Sequence, residues 1–306
     1  MRTTIAHDRP EGTVTRRSRP HALPRELVTA LARLARMPRL LVASDLDGTL
    51  APLAPRPELA RVPARARRAL RRLADARGVR VGVVSGRALA DVARRIRIPR
   101  LWLAGSAGLE TRAPDRVIRA HVSRRRALPR SLRDTFRAWC ARFPGSWLEV
   151  KPHTLALHHR DVAAARRAAF VAGVRRRVAP HRGRLRLIRG RRVVELVPEV
   201  GRDKSSVLAA WSRDLPRRAV LWLGDDAHDE PAHAWVTRRR GIAVKVGGGR
   251  SAARFRLRSP EQVIETLERL EALRVAAGSR PVVSAAARAA ARRGRAARRP
   301  RPSRRG

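Results

Sequence analysis

Short apolar runs recur along this chain, separated by stretches with helical spacing. Residues 39–44 and the runs Val79–Val84, Leu101–Ala104, Ala219–Leu223 and Ile242–Val246 are too short for buried helices and too uniformly apolar for half-exposed strands. Residues 63–77 and 88–96 lie between the first three runs and carry their apolar residues on one helical face. Strand alternating with helix predicts an α/β fold with a parallel sheet.

The middle of the chain has a different pattern. Helical stretches at 130–142 and 161–177 alternate with paired strand-like runs. The first pair is Trp147–Lys151 with Thr154–His159; the second is Leu185–Ile188 with Val193–Val197, and Arg189-Gly190 reads as its hairpin turn. Such pairs predict an inserted α+β cap. We therefore expect a catalytic core at 38–114 and 201–274, with helices at 203–212 and 260–273, and the cap at 115–200. Residues 1–37 read as a basic extension with a helix at 25–36. Residues 275–306, rich in Arg, Ala and Pro, read as a disordered tail.

Composition narrows the function classes. The single cysteine, Cys140, excludes an internal disulfide and a thiolate metal cluster. No run approaches the roughly 18 apolar residues of a membrane span, and Arg and Pro interrupt the first 37 residues, leaving no signal core. A cytoplasmic setting is expected. Basic residues number 71 against 25 acids, a formal charge of +46. The excess is spread along the chain and reads as a compositional bias towards arginine; contact with nucleic acid is expected only through nonspecific charge. Aromatics are 3% and not interleaved with the arginines, which argues against a single-strand binding face.

Six of the 25 acids crowd the carboxyl ends of two predicted strands: Asp45 and Asp47 after the first run, and Asp225, Asp226, Asp229 and Glu230 after the fourth. Ligands of wound parallel sheets sit beyond those ends. Gathered carboxylates repel, and a divalent cation resolves the conflict; all-oxygen ligands point to Mg²⁺. An Asp beside a phosphate is an oxygen nucleophile already ionised at neutral pH, and a carboxyl two residues on can act as acid and then base. Ser85 follows the second run and can donate to phosphate. Lys204 is one of only three lysines and offers a compact ammonium where arginine fills nearly every other basic position.

These residues resemble the motifs of haloacid dehalogenase-like phosphotransferases: Asp45-Leu46-Asp47-Gly48-Thr49-Leu50, Ser85-Gly86-Arg87, Lys204, and Gly224 to Glu230. With Gly105 to Glu110, Glu149-Val150-Lys151, His158-His159-Arg160 and Val194 to Pro198, the set is similar in order and spacing to the trehalose-6-phosphate phosphatases, over roughly residues 38 to 272. The resemblance implies a Rossmann-like core. It implies Mg²⁺-dependent hydrolysis of trehalose 6-phosphate, with Asp45 as nucleophile, Asp47 as acid and base, and Ser85 and Lys204 on the phosphate. Metal ligation would fall to Asp45, the Asp47 carbonyl and Asp225, with Asp229 in support. Arg87, Glu149, Lys151, Arg160 and Glu195 would bind substrate, and Arg191 stands where a basic residue is common. A monomer acting on a small sugar phosphate, with no membrane contact, is expected.

The chain departs from the family pattern at Ala107, His159, Ser205, His228 and Pro231, which replace His, Tyr, Gly, Thr and Asp. Ala107 and His159 keep a different sugar phosphate open as substrate. A basic polyanion-binding protein is the alternative from another class, and a non-catalytic relative a third.

Overall fold

The computed structural model describes residues 22–115, 117–190 and 192–278. Chain order is α1 (Arg25–Ala35), β1 (Leu40–Ser44), α2 (Ala64–Asp75), β2 (Val79–Val84), α3 (Leu89–Ile96), β3 (Trp102–Gly105), β4 (Glu110–Arg112) and β5 (Ile118–Ala120). Then come α4 (Arg130–Ala141), β6 (Trp147–Val150), β7 (Leu155–His158), α5 (Ala164–Val178), β8 (Leu185–Gly190) and β9 (Val193–Pro198). The chain continues through α6 (Lys204–Trp211), β10 (Val220–Gly224), α7 (Glu230–Arg238), β11 (Ile242–Val246), β12 (Phe255–Leu257) and α8 (Pro260–Gly278).

Eight strands form one sheet in the order β12-β11-β10-β1-β2-β3-β4-β5, parallel except at β4 and β5. Its central strands are buried on both faces, as their unbroken apolar runs require. The arginine-rich α2 still has a core side: Ala66, Ala69, Leu70 and Leu73, at i, i+3, i+4 and i+7, are buried. Its arginines turn outwards, where Arg65 reaches Glu268 on α8 at 2.6 Å.

The second sheet is antiparallel, in the order β6-β7-β9-β8. One face carries Leu148, Leu155, Leu157, Val194 and Leu196, packed with Phe136 and Trp139 of α4 and Phe170 of α5. The other face, one residue out of phase, carries Trp147, Glu149, His158, Val193 and Glu195 and lines a cavity above the large sheet.

Several expectations shift. β5 belongs to the large sheet although it lies past residue 114; three-residue strands such as β4 and the edge strand β5, with Ile118 exposed, carry no burial pattern to read. The β8–β9 turn is not at Arg189-Gly190. Those residues pair with Val194 and Val193, and the chain reverses beyond them, where Arg192 takes φ +65°. Gly190 is small for another reason: a Cβ there would approach the Val193 Cγ1 at 2.9 Å and the Asp226 carboxylate at 3.1 Å. α8 runs on to Gly278, past the expected start of the tail. Residues 1–21 of the expected extension, residues 279–306 of the expected tail, and Arg191 lie outside the described residues.

Candidate active site

Pairing of β1 with both β10 and β2 sets Ser44 opposite Leu223 and Val83. The residues that follow therefore emerge side by side: Asp45 from β1, Ser85 from β2, Asp225 from β10. Gly48 has φ +79°, and a Cβ there would stand 2.1 Å from the Asp225 carboxylate, so only glycine lets the first loop close over the fourth.

Lys204 opens α6, whose N-terminus is fixed by a reciprocal cap. Asp203 accepts from the Ser206 N–H at 3.0 Å, and its own N–H donates to the Ser206 hydroxyl at 3.2 Å. Ser205, the departure beside Lys204, donates to Asp203 at 2.6 Å and so joins the cap. The buried Lys204 ammonium bridges Asp45 Oδ1 and Asp229 Oδ1, both at 2.6 Å. Asp229 Oδ2 accepts the backbone N–H groups of Asp225 and Asp226 at 2.9 Å. Both Asp229 oxygens are thus engaged in shaping the loop. Thr49 donates to Asp225 Oδ1 at 3.1 Å. Pro231, another departure, occupies the first turn of α7, where a missing N–H costs nothing.

Burial pushes the Asp45 carboxyl well above its ordinary range; Lys204 opposes the rise, while Asp229 and Asp225 add to it. Burial, with Asp229 next, pushes Asp225 up to about 7 against the pull of Lys204. For Lys204, burial works against the charge, but Asp229 and Asp45 outweigh it and hold its proton more tightly. Asp45, Asp225 and Asp229 bring carboxylate oxygens within 4.8 Å of one another. Three carboxylates against one ammonium, all hard oxygen donors, fit a divalent cation. Asp226 stands apart from this cluster and caps the turn through the Ala227 N–H at 2.6 Å.

The cavity has a volume of about 940 Å³. Asp45, Asp47, Ser85 and Lys204 line one side, and Glu149, Lys151, Arg160 and Glu195 the cap side. Lys151 donates to Glu195 at 2.9 Å and to the Gly86 carbonyl at 3.0 Å, tying cap to core. Thr154 donates to the same Glu195 oxygen at 2.7 Å. Burial opposes the Glu195 charge, yet Lys151 holds that carboxyl below its usual range. Glu149 pairs with His158 Nε2 at 2.9 Å. Arg160 is exposed at the cavity wall.

Arg87 lines the cavity, and its guanidinium is held by groups of the core from three other segments. It makes a bidentate pair with Asp47 at 2.6 and 2.8 Å and donates to Asp91 and the Pro57 carbonyl, each at 2.8 Å. His159 is buried in the cap, its ring 5.5 Å from that of Phe170, away from the cavity face. Ala107 is also buried off the cavity, its N–H donating to the Ser85 carbonyl at 2.9 Å. His228 lines the cavity, and burial lowers its proton affinity. Lys245, which no motif singles out, donates from β11 to the Asp225 carbonyl at 2.5 Å. The scarcity of lysine was the available signal: all three lysines bind groups around this one site.

A family model described as trehalose-phosphatase matches residues 43–261. The chain belongs to the trehalose-phosphatase family. It is 36% identical over 266 residues to a trehalose-phosphate phosphatase of Mycobacterium ulcerans, covering 80% of this chain and 66% of the relative. It is 36% identical over 250 residues to one of Mycobacterium tuberculosis, covering 78% and 62%. A longer Mycobacterium tuberculosis protein, described as an uncharacterized glycosyl hydrolase, shares 36% identity over 265 residues, 80% of this chain and 19% of that protein. The chain thus spans less than two thirds of the length of these relatives.

Solved structures place the fold. The C-terminal domain of a Candida albicans trehalose-6-phosphate phosphatase superposes with TM-score 0.72 at 19% identity, over 83% of this chain and 99% of that one. A haloacid dehalogenase-like hydrolase from Bacteroides thetaiotaomicron gives 0.56 at 17% identity, over 76% and 99%. The fold is haloacid dehalogenase-like, with the mostly parallel sheet as its core.

Proposed function

We propose that this chain hydrolyses trehalose 6-phosphate to trehalose and inorganic phosphate. The observation that carries the reading is the Lys204 ammonium bridging Asp45 and Asp229 on the floor of a cavity whose opposite wall holds Glu149, Lys151 and Glu195. One wall suits a phosphoryl group and the other suits sugar hydroxyls, which need directed donors and acceptors. Family membership supports the same substrate class.

In this reading the Asp45 carboxylate attacks phosphorus and the bond from phosphorus to the sugar oxygen breaks. Asp47 gives its proton to that oxygen, leaving trehalose and an aspartyl-phosphate. Asp47 then takes a proton from water as the water attacks phosphorus, which frees phosphate and restores Asp45. Ser85 and Lys204 hold the phosphate oxygens. Mg²⁺ held by Asp45, the Asp47 carbonyl and Asp225 would supply charge neutralisation at the phosphoryl oxygens. The cap, tied to the core through Lys151 and Gly86, shields the reacting groups from bulk solvent while the sugar is in place, and the hydrolytic water enters once trehalose has left. In this reading the chain acts as a cytoplasmic monomer, since one chain carries all the residues assigned a role.

Ala107 and His159, the departures that kept another sugar phosphate open, both lie off the cavity, while the departure His228 lines it beside Asp226 and Glu195. The test is phosphate release from a panel of sugar phosphates with and without Mg²⁺. Trehalose 6-phosphate is expected to be turned over best, and Asp45→Asn to abolish turnover. Full activity in Asp45→Asn, or preference for another ester, overturns the reading. Nucleic-acid binding indifferent to Asp45, without phosphate release, would favour the polyanion-binding alternative.

A further inference from the structure

Trp147 and His158 face each other across β6 and β7, rings 3.7 Å apart between centroids and 9° from parallel. Both line the cavity. His158 is fixed in turn by Glu149 at 2.9 Å, so the stack is anchored to a group already facing the ligand space. Trp147 keeps 38% of its surface exposed, unusual for an indole in this chain: Trp139, Trp211 and Trp222 are buried. The strand register spaces the groups along the cavity wall. Lys151, whose ammonium rests on Gly86 beside Ser85, marks the end nearest the phosphate groups. Trp147 lies four residues back along the strand, about 13 Å away at the usual rise per residue. Between them the cavity face passes Glu149, which also lines the cavity.

We propose that the Trp147–His158 stack is the seat of the sugar ring distal to the phosphate, and so makes the enzyme selective for a disaccharide phosphate. This rests on the reading given under Proposed function. A pyranose presents C–H groups on its flat faces, and an indole offers a large, rigid apolar surface for them at low entropic cost. The polar rim of the ring stays free for Glu149 and Arg160. Trp147 touches only the part of the substrate that does not react, so it contributes to binding rather than to the chemical step.

The test compares wild type, Trp147→Ala and Trp147→Phe in steady-state hydrolysis of trehalose 6-phosphate, with inorganic phosphate as a competitive inhibitor. Trp147→Ala is expected to raise KM about tenfold with kcat within about twofold, and to leave the phosphate inhibition constant unchanged. Trp147→Phe is expected to recover most of the loss. An unchanged KM in Trp147→Ala overturns the proposal, as does a parallel loss in kcat and phosphate inhibition, which marks a purely structural role. Wild type that releases no phosphate from trehalose 6-phosphate overturns the functional reading itself, and this seat with it. Wild type that turns over normally while Trp147→Ala matches it sinks the seat alone.

Discussion

Arg87 grips both carboxylate oxygens of Asp47, at 2.6 and 2.8 Å, and is itself held by Asp91 and the Pro57 carbonyl. The proposed acid and base is thus aimed by a rigid fork that spends its donors on the protein. Lysine cannot reproduce two parallel hydrogen bonds. Arg87→Lys is expected to lower kcat roughly 10- to 100-fold, the worth of a charged hydrogen bond lost from a positioned group, with KM changed little. A variant that raises KM and keeps kcat would make Arg87 a substrate contact instead, and steady-state kinetics separate the two.

Lys204 is the counter-charge for two buried carboxylates. Replacing it with methionine fills the space and leaves Asp45 and Asp229 without their shared cation. Loss of one partner of a buried pair costs about 3–5 kcal/mol, well above a surface salt bridge. Lys204→Met is expected to lower the unfolding midpoint in urea and to abolish turnover together. Unchanged stability would mean the bridge is compensated elsewhere.

Stability and metal should be linked through pH. The Asp225 carboxyl sits at about 7 in the folded chain against an ordinary 3.8. Within that window the folded state holds a proton that the unfolded state has released, so stability falls as pH rises through it. A bound divalent cation removes this cost by favouring the carboxylate. Mg²⁺ is therefore expected to raise the melting temperature more at about pH 8 than at about pH 6, where it must first displace the proton. A shift independent of pH, measured by calorimetry, would detach Asp225 from the metal.

His159 packs on Phe170 within the cap, and its Nδ1 is buried without a hydrogen-bond partner. A phenylalanine keeps the ring and removes that polar atom. His159→Phe is expected to stabilise the protein by about 1 kcal/mol, read by urea unfolding, and to leave KM for trehalose 6-phosphate unchanged. A large change in KM would bring residue 159 back into substrate selection.

Some of this was written in the chain itself. Apolar runs such as Leu40–Ser44 can only be strands covered on both faces, so the wound sheet followed from them. The clustering of scarce acids after two of those runs marked the site, because like charges are gathered only where a cation balances them. Short-range pattern reached no further. Only the fold set Lys204 between Asp45 and Asp229, residues 159 and 25 positions away along the chain. Only the fold turned Arg87 onto Asp47, took His159 out of the cavity and brought Lys245 to the Asp225 carbonyl. Which way a side chain faces, and which distant group meets it, depends on strand register and helix packing, and these are settled by the whole core at once.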